Sequence, residues 1–304
     1  MAAVEPHVDV SVVVPVFNER NHLETEVERI RVALDASPYT YEIIVVDDGS
    51  TDGSLDVARE IMGIRVISFS QNHGVGTVRR IGTQEAQGDI VVWTDADMSY
   101  PNQDIPRLVK ELEGRDHVVG ARTSEQGTAR LVRRPAKWFI RRLASYLVKM
   151  PIPDLNSGLR AFRRDVAMQF VHLLPSGFSC VTTLTMLFLA NGYSVYYIPI
   201  DYAPRAGQSK FHWWSDTKRY LTQVVRLILS YEPLRIFMPI GLTLMTIGIG
   251  KLAYDWATKD FRLATNTLLI LFAAFQTVAI GFLADLVVRM NTPRSLVEPA
   301  SRRS

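Results

Sequence analysis

The chain has 304 residues, 47% of them hydrophobic, with 34 Lys and Arg against 31 Asp and Glu. That length allows one large domain or two smaller ones, and the apolar surplus is concentrated after Ile236. A net charge of only +3, with no nucleic-acid fold signature, argues against a nucleic-acid binder. A single cysteine, Cys180, excludes an internal disulfide and suits a reducing compartment.

Residues 1–9 are polar and acidic and lack a basic start followed by an apolar core, so they read as a tail and not as a secretory signal. Val10 to Asn18 is a β-branched run broken by Pro15, the pattern of a buried parallel strand ending at a loop. Arg20 to Ala36 is amphipathic. Tyr41 to Asp52 is a second strand that stops in carboxylates, a glycine turn and a Ser/Thr/Asp helix cap. Arg65 to Ser70 is a short strand, and Gly74 to Gln87 reads as a helix with Arg79 and Arg80 available for phosphate. Asp89 to Asp97 is a strand ending in Asp95 and Asp97. Strands and helices alternate, so an open parallel sheet is expected, with carboxylates at the strand C-termini where such sheets bind ligands.

Further along, Lys137 to Met150 and Phe211 to Arg235 are amphipathic with basic faces, as expected of helices lying in a headgroup layer. Such helices would hold the preceding domain against a bilayer. Ile236 to Trp256 and Leu263 to Val288 each reach the roughly 20 apolar residues that a membrane helix needs, provided Lys251 snorkels and Asp285 sits near an interface. The connection Ala257 to Arg262 is short, which makes the pair an antiparallel hairpin. Lys218, Arg219, Arg226 and Arg235 precede it and Arg289 and Arg294 follow it, so both termini are expected in the cytoplasm of an inner-membrane protein. The polar Gln276 and Asp285 would suit helix–helix association between copies. The expected organisation is a tail (1–9), an α/β domain (10–210), a juxtamembrane helix (211–235), a hairpin (236–288) and a cytoplasmic tail (289–304).

Two carboxylates one residue apart at a strand end repel each other and attract a hard divalent cation, which takes oxygen ligands. Such a cation bridges a diphosphate and neutralises charge on a leaving phosphate. Four motifs occur in this order: Val-Val-Pro-Val-Phe-Asn-Glu19, Asp-Asp-Gly-Ser-Thr-Asp52, Thr-Asp-Ala-Asp97 and Val-Gly-Ala-Arg122. Together they resemble the family 2 glycosyltransferases. Asp154-Leu-Asn-Ser-Gly-Leu-Arg160 and Arg205-Ala-Gly-Gln-Ser-Lys210 resemble the branch that makes polyprenyl-phosphate sugars, such as dolichol-phosphate mannose synthase. The resemblance covers about residues 8–235 and implies a Rossmann-like GT-A α/β fold, a nucleotide-sugar donor and Mg2+ or Mn2+ as cofactor.

It further implies transfer of a hexose, with inversion, to a polyprenyl phosphate. A UDP-glucose-type donor is preferred over GDP-mannose. Asp97 would hold the metal, with Asp95 nearby for metal or ribose. Ser99 stands where the family often has Gln and would be a neutral ligand. Pro15, Phe17, Glu19 and Asp48 match the positions that hold base and ribose, while Asp47 is alternatively a structural cap. Arg79 joins the donor site. Arg122, Arg134, Arg205 and Lys210, with Ser157, would bind the acceptor phosphate, since guanidinium grips phosphate bidentately. Asp154 either orients a sugar hydroxyl or acts as base. Phe178 to Leu189 contains Thr182, Thr183 and Thr185 but no acid, which fits an acceptor that is already ionised. A processive polysaccharide synthase would carry Gln-x-x-Arg-Trp, and Gln208 to Trp213 lacks the Arg-Trp pair. A non-catalytic scaffold would have lost Asp95 or Asp97.

Overall fold

The computed structural model describes residues 7–123, 152–203, 232–258 and 264–291, together with 222, 225 and 229. The chain divides into two units, residues 1–221 and 222–304.

In the first unit the apolar runs form one seven-stranded sheet. Its strands are Val10–Val16 (β1), Tyr41–Asp47 (β2), Arg65–Ser68 (β3), Ile90–Trp93 (β4), His117–Arg122 (β5), Arg160–Arg163 (β6) and Val195–Ile200 (β7). The order is β3-β2-β1-β4-β6-β5-β7. Strands β1 to β4 are mutually parallel, as expected, but β6 runs antiparallel to both β4 and β5. The sheet is therefore mixed, not wholly parallel. The sequence hid β6 because its four residues begin and end in arginine, leaving no apolar run to recognise.

The reversal decides what meets at the sheet edge. Strands β1, β2, β4 and β5 end there, whereas β6 starts there, with Arg160 in register opposite Trp93. The segment before β6 thus arrives beside the segments that follow β1, β2, β4 and β5. Strand β7 is parallel to β5, so Asp201 and Tyr202 join the same edge.

The helices in this unit are Leu23–Asp35 (α1), Ser54–Glu60 (α2), Val75–Glu85 (α3), Ile105–Lys110 (α4), Arg164–Met168 (α5) and Cys180–Ala190 (α6). Helix α1 buries Leu23, Val27, Ile30 and Leu34 at helical spacing against the sheet. Each such side chain contributes about 1.5–3 kcal/mol by leaving water. Helix α3 lies close on β1: a Cβ at Gly82 would stand 2.3 Å from a Val13 methyl, so only glycine fits. Cys180 is buried, as a structural thiol should be.

The second unit contains Leu234–Thr258 (α7) and Thr265–Asn291 (α8). Both are long and apolar enough to cross a membrane. Gly241 packs against Val278 and Ala274, and Gly248 packs against Leu271, so the helix backbones approach through small residues. Outward faces carry Ile240, Leu242, Ile249, Leu269, Phe272 and Phe275, which suits lipid. Lys251 does more than reach for the surface, because its ammonium lies 3.6 Å from the buried Asp255 carboxylate. Thr267 of α8 donates to the same carboxylate across the hairpin. The amphipathic segments 137–150 and 211–231, with Arg134, Arg205 and Lys210, lie outside the described residues, apart from single positions at 222, 225 and 229.

Candidate active site

Two loops after β1 and β2 are laced together. Asn18, in a left-handed conformation at φ 57°, donates its amide to Ser50 Oγ at 2.9 Å and accepts from the Thr51 amide at 2.8 Å. The Glu19 amide donates to Ser54 Oγ at 2.9 Å, and the Arg20 amide donates to Asp52 at 3.1 Å. Pro15, Phe17 and Glu19 line this ledge and are half-buried. The expected Ser/Thr/Asp cap is modified: Gly53 is the N-cap of α2, and Asp52 instead accepts from Ser54.

Asp47 and Asp48 divide their labour. Both oxygens of Asp48 accept main-chain amides, from His73 at 2.7 Å and Gly74 at 2.9 Å. Asp48 thus straps the end of β2 to the start of α3. Burial raises its pKa above the ordinary value, against the pull of those amides. Asp47 accepts the Ser50 amide at 3.1 Å through Oδ2, and its buried Oδ1 has no hydrogen-bond partner.

After β4 come Asp95 and Asp97. Arg79 donates to Asp95 at 2.6 Å from a side chain only 3% exposed. Burial disfavours the charged guanidinium, but the Asp95 carboxylate more than compensates and raises its pKa. This corrects the expectation that Arg79 binds donor phosphate: the helical period of α3 turns it inward, with Gly76, Val78 and Thr83, and leaves Arg80 half-buried. Arg79 is a brace for Asp95. Ser99 is corrected likewise. It is fully buried, and its hydroxyl and amide both donate to Asp97 Oδ1, so in this structure its role is to orient the carboxylate.

The segment before β6 contributes Asp154 to Gly158. Arg122 forks onto Asp154, with Nε to Oδ2 at 2.7 Å and Nη2 to Oδ1 at 2.9 Å. Burial alone would raise the Asp154 carboxyl, but this fork and the Asn156 and Arg122 amides outweigh it and hold it below the usual carboxylate range. The same carboxylate raises the pKa of Arg122 despite its burial. The Nε–Nη2 edge of the guanidinium expected to grip acceptor phosphate is therefore engaged by Asp154. Ser157, also expected at that phosphate, is fully buried, and its carbonyl is held by Arg160. Gly158 must be small, since a Cβ there would stand 2.9 Å from both Arg79 Nη2 and Asp95 Oδ2.

The roles of several further residues were not anticipated. Buried Arg160 ties Ser157 to the Val181 carbonyl and Thr185 Oγ1 of α6; burial, with Arg79 nearby, pulls its pKa down to about 10. Thr182 holds the Leu155 carbonyl at 3.0 Å. The Tyr100 hydroxyl accepts the Gly158 amide at 2.6 Å, and Tyr202 lies under the Arg122 guanidinium, 5.2 Å from centroid. Arg160 and Thr182 fall in stretches the sequence singles out, and Tyr202 lies two residues past the end of β7, but nothing in the sequence shows what they hold.

Among the described residues no group of three or more His, Cys, Asp or Glu can hold a metal unaided. The donor set at Asp95 and Asp97 is nonetheless hard oxygen. That fits a divalent cation of the Mg2+ or Mn2+ type, which commonly takes one or two carboxylates and completes its shell with water and substrate phosphate.

Residues 11–170 match the model of Glycosyl transferase family 2, and residues 232–290 match that of the GtrB C-terminal hairpin. The undecaprenyl-phosphate 4-deoxy-4-formamido-L-arabinose transferase of Enterobacter sp. (strain 638) is 31% identical, over 96% of this chain and 92% of that protein. The transferase of the same name from Aeromonas hydrophila is 28% identical, over 93% and 89%. Among solved structures, glucosyl-3-phosphoglycerate synthase from Mycobacterium tuberculosis, in complex with Mn2+, UDP and glucosyl-3-phosphoglycerate, superposes with a TM-score of 0.58 at 22% identity. That match covers 72% of this chain and 80% of the other, and it supports the GT-A fold. The chain belongs to glycosyl transferase family 2.

Proposed function

We propose that this family 2 glycosyltransferase moves a sugar from a nucleotide-sugar to a polyprenyl phosphate in the inner membrane. The observation that carries the reading is the convergence, on one sheet edge, of Asp95 and Asp97 after β4 with the Arg122–Asp154 pair and the glycine-containing loop before β6. The relatives named above act, by their names, on undecaprenyl phosphate, and the apolar hairpin suits a lipid-linked acceptor.

Asp97, with Asp95 beside it, would hold Mg2+ or Mn2+, and the ion supplies charge stabilisation for the nucleoside diphosphate that leaves. Ser99 fixes the rotamer of Asp97, and Arg79 fixes that of Asp95. Pro15, Phe17, Glu19 and the Asp47–Asp48 pair frame the donor's base and ribose. A phosphate monoester has a second pKa of about 6, so at neutral pH the acceptor is already a nucleophile. Asp154 need not take a proton, and its low pKa fits that role poorly. It instead keeps Arg122 oriented and leaves its outer lone pairs for a sugar hydroxyl. Arg134, Arg205 and Lys210 supply the acceptor's cations. Direct displacement inverts the anomeric centre.

The donor is a UDP-sugar of the glucose type, with GDP-mannose as the alternative; the relatives' names add 4-deoxy-4-formamido-L-arabinose to the field of sugars. Both termini face the cytoplasm, where nucleotide-sugars are made. The test is a donor screen with purified protein, a short polyprenyl phosphate and Mn2+, scored as organic-soluble labelled sugar. Transfer from one UDP-sugar supports the reading. Hydrolysis or no transfer from every donor refutes it.

A further inference from the structure

Helix α1 contains an anomaly. Its buried stripe of Leu23, Val27, Ile30 and Leu34 includes a carboxylate, Glu26, that is fully buried. Glu26 reaches the loop that follows β4. Its Oε1 accepts from Asn102 Nδ2 at 2.8 Å, and Asn102 Oδ1 accepts from Thr94 Oγ1 at 2.8 Å. Its Oε2 accepts from Arg29 Nη1 at 2.7 Å. Arg29 continues to the loop itself: Nη2 donates to the Tyr100 carbonyl at 3.0 Å, and Nη1 lies 3.6 Å from Met98 Sδ.

The contacts bracket Asp95 and Asp97. Thr94 and Asn102 are the two ends of the loop, and Met98 and Tyr100 are its interior. Met98 is left-handed at φ 63°, a conformation a long side chain adopts at a cost and only where its surroundings impose it. That turn sets Ser99 against Asp97. Tyr100 passes the constraint on, because its hydroxyl holds the Gly158 amide. Both Glu26 oxygens face donors, so the ionised form satisfies the network; burial, opposed by Arg29, moves its pKa to about 7.

Resting on the metal-dependent reading above, we infer that Glu26 and Arg29 are positioning residues. From helix α1 they hold the Met98 turn and so aim the Asp97 carboxylate at the metal–diphosphate group. A carboxylate buried only to stabilise the fold would change stability when altered and leave metal affinity alone.

Glu26→Gln keeps the shape but places an amide donor against one of two existing donors. Mn2+ binding is read from the free-ion electron paramagnetic resonance signal in the presence of UDP and absence of acceptor, beside thermal unfolding and the acceptor KM. The expected result is about tenfold weaker Mn2+ binding, equivalent to about 1.4 kcal/mol, with the acceptor KM within about twofold. Arg29→Lys, at a partly exposed position, retains charge but cannot span Glu26 and Tyr100, and should weaken Mn2+ in the same sense. It decides the matter if Glu26→Gln does not fold. Mn2+ affinity unchanged in the folded variants, with wild type binding Mn2+ and transferring sugar normally, overturns the inference alone. Wild type that neither binds Mn2+ with UDP nor needs a divalent ion overturns the functional reading beneath it.

Discussion

The two aspartates after β4 should separate cleanly by stability. Asp95 neutralises Arg79, whose side chain is 3% exposed, sits 5.3 Å from the Trp93 ring centroid and has an Nε without a hydrogen-bond partner. Asp95→Ala leaves that cation buried and unpaired. Breaking a buried pair costs about 3–5 kcal/mol. The Asp95 side chain is 27% exposed, so water offsets part of this and about 2–3 kcal/mol remains. At about 2–4 °C per kcal/mol for a domain of this size, the unfolding midpoint should fall by about 5–10 °C. Arg79→Met combined with Asp95→Ala should recover at least about 1 kcal/mol of the loss, because a hydrophobic replacement of a buried pair is often neutral. Asp97→Asn, still able to accept from Ser99, should stay within about 2 °C of wild type yet lose metal-dependent transfer. The assay is circular dichroism melting in detergent without metal, beside transfer with Mn2+. A wild-type midpoint in Asp95→Ala, or a double variant as unstable as the sum of its singles, refutes the brace.

Three further outcomes are expected. Asp154→Asn should keep measurable transfer with the same pH inflection near 6 as wild type, since that inflection belongs to the acceptor's second ionisation at about 6; loss of the inflection in a folded variant would make Asp154 the base. Cysteine at Thr258 should label with impermeant thiol reagents from outside intact cells and cysteine at Ser301 should not, against a quiet background because the one native cysteine is buried; reversed labelling inverts the topology. Glu26 has a folded pKa of about 7 against an ordinary 4.5, so its contribution is fully present below about 4.5 and lost as pH rises through about 7, by at most about 3 kcal/mol. In melts between pH 5 and 8, which bracket roughly that window, wild type should therefore lose stability relative to Glu26→Gln as pH rises; parallel curves would refute the shift.

Much of this architecture is legible because β1, β2 and β4 announce themselves twice, as β-branched runs and as runs that stop in carboxylates. The hairpin is legible from length and composition. Strand β6 is not, because a four-residue strand of Arg-Ala-Phe-Arg becomes a strand only through the ladders on either side of it. Partnership is harder still. Asp95, Asp97, Asp154 and Arg122 were each picked out by type and position, but sequence spacing does not say that Arg122 and Asp154 hold each other, or that Arg79 points inward. Those facts follow from the antiparallel insertion of β6 and from which face of α3 meets the sheet. Glu26 was readable in principle, as a charge on the apolar stripe of α1, but amphipathicity judged over the whole helix averages it away.

The charge arrangement also bears on how a single site can handle two phosphorylated substrates. Arg79 and Arg122, two arginines beside the carboxylate loops, are committed to Asp95 and Asp154. A free arginine there would compete with a divalent cation for the diphosphate and repel the cation itself. A paired one keeps the carboxylates aimed without adding net charge. On the proposed reading the donor's diphosphate is then left to the metal, and the acceptor's phosphate to cations elsewhere in the chain, the segments of Arg134, Arg205 and Lys210. Separating the two anion-binding duties in this way lets the nucleotide leave without dragging the acceptor's contacts with it.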